Sequence, residues 1–253
     1  RNLRGPETLV LNTMSDPLID LNAVSFTPGG AAVLHDVSLQ ANERRIGVVG
    51  RNGSGKTSLA RILAGLVAPT SGQARIAGID VAKDRKAALR NVGILFQNPD
   101  HQIIFPTVEE EISFGLTQLG QSKVEAAHNT EAMLAQFNRA HWAKAAIHQL
   151  SQGQRQLVCL MSILAMQPRL IILDEPFAGL DIPTTLHLGR VLSQLDAHLV
   201  HITHDPQYLS DYDRVIWIDE GRIAQDGPAA TITKAFVTRM QQLGEQDDFT
   251  HLS

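Results

Sequence analysis

The chain has 253 residues, 43% of them hydrophobic and 19% charged, and a formal net charge of −4. Those values describe a globular chain able to bury a substantial core, as one large α/β domain or two small ones. The charge excludes the basic footprint of a nucleic-acid binder, and the lone cysteine, Cys159, excludes an internal disulfide framework and fits a reducing cytosol.

No apolar run reaches the ~20 residues of a membrane-spanning helix. The longest, Leu157 to Met166, is about half that length and lies between Arg155 and Arg169. Any membrane role therefore runs through a partner. The chain opens on Arg1, and residues 1 to about 15 are expected to be a processed or extraneous end, outside the fold.

Leu18 to Phe26 and Val33 to Gln40 read as strands joined by the turn residues Pro28, Gly29 and Gly30, so an antiparallel layer comes first. Ile46 to Val49 suits a buried strand. The chain then reads G-R-N-G-S-G-K-T from Gly50 to Thr57 and continues as a helical pattern from Ser58 to Leu66. That is G-x-x-x-x-G-K-[ST] between a strand and a helix. A polyphosphate needs inward-pointing N–H groups, which Gly50, Gly53 and Gly55 allow by carrying no Cβ. The helix N-terminus adds partial positive charge. The loop residues Gly50, Asn52, Gly53, Ser54, Gly55, Lys56, Thr57 and Ser58 are thus assigned to a bound nucleotide, which the family resemblance given below makes ATP. Lys56 faces the β- and γ-phosphates, and the Thr57 hydroxyl is placed to ligate Mg²⁺.

A turn at Pro69 to Gly72 precedes a short strand, Gln73 to Ile79, and Val92 to Phe96 is an apolar run ending at Gln97. Thr107 to Glu110 reads as a capping box, with Val108, Ile112, Leu116 and Leu119 on one helical face. A second box at Ser122 to Glu125 opens a helix to about Phe137, and Trp142 and Ile147 continue the α-rich tract. Leu170 to Leu173 is a strand apolar on both faces, ending at Asp174-Glu175. A helix from about Thr184 to Leu195, a strand Leu199 to Thr203 ending at His204, and short strands at Val215 to Ile218 and Arg222 to Gln225 follow.

Open α/β sheets place ligands at the C-terminal ends of their strands. There Asp174 is suited to hold Mg²⁺ through its water shell, and Glu175 to polarise an attacking water. Ser151 is a good N-cap for the helix after Leu150-Ser151-Gln152-Gly153-Gln154, which reads either as simple capping or as a second anion site. His198, His201 and His204 are evenly spaced, but strand alternation puts His201 on the opposite face from the other two, against a metal site. Cys159 reads as a small core residue.

Gly50 to Thr57, Gln97, Leu150 to Gln154, Leu170 to Glu175, Ala178-Gly179-Leu180-Asp181 and His204 occur in the order and spacing of ATP-binding-cassette (ABC) ATPases, and the resemblance covers residues 18 to 228. It implies an α/β fold: a P-loop ABC ATPase with a RecA-like core, an antiparallel β layer and an inserted α-helical subdomain. Residues 17-98 and 167-230 would form the nucleotide-binding core, 99-166 the insertion and 231-253 a C-terminal tail. The resemblance further implies that two subunits close head to tail. Ser151, Gln152, Gly153 and Gln154, which match the family's signature turn, would then meet the nucleotide of the partner, with Asp181 at the dimer contact. Glu175 would activate water, His204 would contact the γ-phosphate, and Gln97 would join Thr57 and Asp174 at Mg²⁺. Gln152 stands where the family has glycine, a departure that activity should survive. The adenine-stacking aromatic has no clear match; Phe26 is the nearest candidate, with a core strand residue as the alternative.

Gln97 to Phe105 and Thr107 to Gly115 resemble the ATPase subunits of energy-coupling-factor transporters, where this region helps form a groove for a transmembrane subunit. Glu43 to Gly47 and the Arg51-Asn52 pair resemble their biotin-specific members. The resemblance implies a transmembrane coupling subunit, a substrate-binding membrane subunit and a second ATPase subunit (identical or a paralogue) as partners, no nucleic acid, and a place at the cytoplasmic face of the membrane. An energy-coupling-factor cobalt or nickel importer or another ABC importer, and a soluble non-transport cassette ATPase, are the alternatives. A small GTPase is disfavoured because no N-K-x-D motif occurs.

Overall fold

The computed structural model describes residues 16–246. Strands β1 (Ile19–Phe26) and β2 (Leu34–Ala41) form the expected antiparallel hairpin around Pro28–Gly30. Strand β3 (Arg45–Val49) enters a second sheet and leads through the glycine loop into helix α1 (Lys56–Leu63). In place of one strand from Gln73 to Ile79 there are two, β4 (Ser71–Ile76) and β5 (Ile79–Asp80). Ala77 and Gly78 between them have φ of +51° and +79°, which reverses the chain as a hairpin turn does. These four strands form one sheet in the order β2-β1-β4-β5. Helix α2 (Arg85–Asn91) buries only Ala88, so it has no apolar period; its sequence mark is the cap Asp84, which accepts from Ala87 N.

Strand β6 (Val92–Leu95) is followed by helices α3 (Val108–Gln118), α4 (Lys123–Gln136) and α5 (Gln152–Ala165), with 3₁₀ turns at Ala140–Trp142 and Ile147–Gln149. The capping box at Ser122 and Glu125 forms. The one expected at Thr107 does not: its hydroxyl hydrogen-bonds the Glu110 carboxylate at 2.5 Å rather than a backbone N–H. The first free N–H groups of α3 go elsewhere, Val108 N to Ala145 O at 3.2 Å and Glu109 N to Ala143 O at 3.0 Å. Those carbonyls are distant in sequence, so no local pattern announces them.

Strand β7 (Leu170–Asp174), helix α6 (Ile182–Ser193), strands β8 (His198–Thr203), β9 (Arg214–Asp219) and β10 (Arg222–Pro228) complete the second sheet, in the order β10-β9-β3-β8-β7-β6. All its neighbours run parallel except β10 on β9. Residues from 231 onward were expected as a tail. Of these, residues 231–246 lie in helix α7 (Ala229–Gln246), which buries Ile232 and Phe236 against Trp217 of β9. The residues beyond 246 lie outside the described part of the chain.

Alternation along the central strands places the core on both sides of this sheet. Leu170 and Ile172 of β7 and Val200 and Ile202 of β8 join the core shared with α1 and the antiparallel layer. Ile171, Leu173 and Leu199 join the core of α3, α5 and α6, which also contains Cys159. With both faces covered, the strand ends are where the sheet's loops remain open to a ligand.

Phe236 is 3% exposed and packs edge-on to Trp217, with ring centroids 5.5 Å apart. Phe236→Ala is expected to cost about 3–5 kcal/mol, the usual range for a buried phenylalanine. The change is to be read as a lower midpoint in chemical denaturation.

Candidate functional site

Gly50 ends β3 because nothing larger fits: a Cβ there would lie 2.3 Å from Ile218 O and 2.6 Å from Ser54 Oγ. Gly53 and Gly55 have φ of +80° and +103°, the left-handed region that glycine adopts without strain. Gly55 also passes under the antiparallel layer, where a Cβ would stand 2.9 Å from Val33 O. Leu59 N is the first amide to bond back into the turn, to Gly55 O, so the amides of Lys56, Thr57 and Ser58 have no intrahelical acceptor. Ser54 Oγ is buried with no hydrogen-bond partner.

Lys56 is 7% exposed, and its Nζ donates to Gly50 O at 2.6 Å and Arg51 O at 2.8 Å. Burial pulls its pKa down, opposed by the charges of Glu175 and Asp174. Thr57 Oγ1 donates weakly to Asp174 Oδ1 at 3.4 Å. Asp174 is 4% exposed, and burial pushes its carboxyl above the usual range against the hydrogen bond from Thr57.

Glu175 has φ of +51°, an unusual conformation for a side-chain-bearing residue. Its backbone is held in it by two bonds: its N–H donates to Ile202 O at 2.9 Å, and its carbonyl accepts from Ala178 N at 3.1 Å. Both carboxylate oxygens have partners: Thr203 Oγ1 donates to Oε2 at 3.3 Å, and His204 Nδ1 lies 2.9 Å from Oε1.

Asn52, Gly53, Gly55, Lys56, Thr57, Ser58, Gln97, Glu175 and His204, together with Val33, line one cavity of about 550 Å³. Gly50 and Ser54 are not in the lining, and Asp174 is the buried partner of Thr57. Phe26 is not in the lining; it packs, partly buried, against the core, and Val33 stands in the wall instead. Val33 and Thr203 were missed by the sequence reading, since one carries no functional group and the other reads as an ordinary strand end.

Ser151, Gln152, Gly153 and Gln154 do not line this cavity. Ser151 and Gln154 form a full capping box at the start of α5. Gln152 Nε2 donates to Ala178 O at 3.3 Å, and a Cβ on Gly153 would stand 2.2 Å from Thr184 Cγ2. Asp181 caps α6 by accepting from Thr184 N at 2.9 Å, a bond that lowers its pKa. The signature turn and the Ala178–Asp181 turn thus form a second polar face, apart from the cavity.

Residues 34–178 match the ABC transporter family. The chain belongs to that family. It is an ATPase of the kind that powers transport. Over 225 residues it is 50% identical to the biotin transport ATP-binding protein BioM of Rhodobacter capsulatus, spanning 89% of this chain and 96% of that one. Among solved structures, cbiO1 of Clostridium perfringens, part of the ABC transporter complex cbiONQ, matches with a TM-score of 0.73 at 26% identity, over 90% of this chain and 95% of its own. A dimeric ATP-binding cassette in a post-hydrolysis state, bound to ADP and Pi, matches with a TM-score of 0.74 at 25% identity, over 83% and 98%. In this ABC ATPase no helix among the described residues is long and apolar enough to cross a membrane.

Phe177, next along from Glu175 and Pro176, rests on His201 and Tyr208, with centroids 5.5 Å and 4.6 Å away. The three evenly spaced histidines separate. His198 Nδ1 faces Glu43 O at 3.2 Å, His204 joins Glu175, and His201 is buried with Nδ1 3.0 Å from the Tyr212 hydroxyl. Burial lowers the His201 pKa from its ordinary 6.5 to about 3, so the ring stays neutral. Between those values the unfolded chain takes up a proton that the folded chain refuses, so this residue's effect is to lower stability as pH falls from 6.5 toward 3 and to vanish above 6.5. In denaturation midpoints measured across that window, His201→Phe is expected to flatten the decline.

Proposed function

We propose that this chain is the ATP-hydrolysing subunit of a biotin importer of the energy-coupling-factor type. The observation that carries the reading is the 50% identity to BioM, which extends over 89% of this chain and 96% of that one. In this reading the cavity under Val33 takes ATP. The unbonded amides of Lys56, Thr57 and Ser58 meet its phosphates, and the Lys56 ammonium faces the β- and γ-positions. Thr57, Asp174 and Gln97 offer the hard oxygen donors that suit Mg²⁺ and would hold it, and the ion would neutralise charge on the phosphates.

Glu175 takes the proton from a water attacking the γ-phosphorus, as the bond from that phosphorus to the bridging oxygen breaks and ADP leaves. Thr203 and His204 aim its carboxylate, leaving the remaining lone pairs for that water. The signature turn, lying outside the cavity of its own chain, serves the nucleotide of a second ATPase subunit, with Asp181 near the two-fold contact. The dimeric architecture of a matching cassette supports this arrangement. Residues 99–166 act as the helical insertion that meets a transmembrane coupling subunit at the cytoplasmic face, beside a membrane subunit that binds substrate. A cobalt importer is the second reading, favoured by 35% identity over 220 residues to the cobalt import ATP-binding protein CbiO of Syntrophus aciditrophicus. Uptake of labelled biotin by cells expressing the chain with its copurifying membrane subunits decides between them: cobalt uptake without biotin uptake replaces the first reading with the second.

Lys56→Ala is expected to abolish tight ATP binding in a calorimetric titration, and unchanged affinity would refute the phosphate-loop assignment. Glu175→Gln keeps size but cannot accept the proton, so turnover is expected to fall by ~10²–10⁴-fold while ATP still binds. That variant should accumulate as an ATP-filled dimer on sizing columns. Turnover within a few-fold of wild type in the folded variant would remove Glu175 from the mechanism.

A further inference from the structure

Gln97 follows β6, and the residue between them, Phe96, lies outside any strand ladder. Both of its backbone groups are nonetheless bonded, each by a glutamine side chain. Phe96 N donates to Gln102 Oε1 at 3.2 Å, and Phe96 O accepts from Gln156 Nε2 at 2.9 Å. The Phe96 carbonyl and the Gln97 amide belong to one rigid peptide plane. Gln156 therefore holds the plane from which Gln97 departs.

Gln156 sits on α5, whose first turn is the signature, and is 1% exposed. Its Oε1 is buried with no partner. Turning the amide over would set that oxygen against the Phe96 carbonyl, so the observed orientation is the one that bonds. A buried amide with an orphaned acceptor is an expensive way to fill space, and a methionine of similar length would fill it without that cost. The close approach of α5 makes the reach possible: a Cβ on Gly93 of β6 would lie 2.2 Å from Ile163 Cγ2. The ion pair of Arg155 with Asp100 at 3.0 Å ties the same helix to the far side of the loop.

We propose that Gln156 is a positioning residue that sets Gln97 from the signature helix, so that movement of α5 and the placement of Gln97 in the ATP cavity are mechanically one. This rests on the reading that Gln97 contacts the Mg²⁺ of bound nucleotide. Gln102 holds the other side of Phe96 in the same device.

The test is Gln156→Met, with two readouts. In the nucleotide-free protein, amide hydrogen exchange over residues 97–102 is expected to speed up by about three- to tenfold, the worth of one lost hydrogen bond, with α1 and the central strands protected as before. In titrations with a non-hydrolysable ATP analogue, the Mg²⁺-dependent part of the affinity is expected to fall by a similar factor, and the Mg²⁺-free affinity to stay put. In a Gln97→Ala background, Gln156→Met should subtract nothing further from the Mg²⁺ dependence. Unchanged exchange at 97–102, or an unchanged Mg²⁺ dependence in the folded variant, overturns the proposal, as does a general loss of protection with no local effect. If Gln97→Ala alone leaves the Mg²⁺ dependence intact, the reading of Gln97 fails instead, and the exchange result alone decides whether Gln156 sets the loop. Should Gln156→Met fail to fold, Gln102→Met removes the opposite bond and is expected to give the same two changes; their absence overturns the proposal equally.

Discussion

A parallel sheet buried on both faces leaves its C-terminal edge as the place for polar chemistry, and the candidate site follows from that constraint. Strand β3 ends at the glycine loop, β6 just before Gln97, β7 at Asp174 and Glu175, and β8 at Thr203 and His204. All four strands are neighbours in the order β3-β8-β7-β6. Residues far apart in the chain therefore meet in one 550 Å³ cavity without any loop having to travel. The antiparallel layer closes the cavity from outside the sheet: Gly55 lets α1 begin directly beneath Val33 and Leu34.

The loops at this edge are joined less by packing than by bonds between side chains and backbone. Lys56 spans the glycine loop through the Gly50 and Arg51 carbonyls, and Thr203 bonds both the Glu175 carboxylate and the Asp205 amide. Gln152 ties the signature turn to Ala178. Each link is one or two hydrogen bonds, each worth roughly 0.5–1.5 kcal/mol net between neutral groups and about 1.5–3 where one partner is charged, so each loop is placed without being locked. Bonds of that size let a loop open locally without unfolding the sheet beneath it.

What could be read from the sequence depended on how local the cause was. The stretch from Gly50 to Thr57 carries its whole reason within itself, since the glycines, the cation and the hydroxyl are all contiguous. Asp174-Glu175 was legible because an apolar run buried on both faces must end where a polar pair begins. Val33 was not, because its role arises from how two sheets approach, and a valine announces only burial. The apparent capping box at Thr107 failed because carbonyls at Ala143 and Ala145 reach the α3 amides first. Helix α7 did have a local mark, the four-residue spacing of Ile232, Phe236 and Met240, all in one cluster with Trp217. The missed strand break at Ala77-Gly78 is of another kind: an alanine at positive φ has no sequence signature.

The groups gathered at the edge are individually unfavourable. Glu175 occupies a left-handed backbone conformation, Lys56 and Asp174 are charged groups under burial that works against their ionised forms, and Ser54 Oγ has no partner. Strain and desolvation of this kind persist only where surrounding structure over-determines them. Here the over-determination is visible in the strands themselves. The first four residues of β7, Leu170 to Leu173, are wholly buried and alternate between two cores, so the strand cannot slip or rotate to relax Glu175, the residue just past its end. A one-residue slip would exchange the two faces and move Ile202 O away from the Glu175 amide it accepts from. The double-sided core thus fixes the register, the register fixes the strained carboxylate, and the chemistry of the edge is inherited from packing that never touches it.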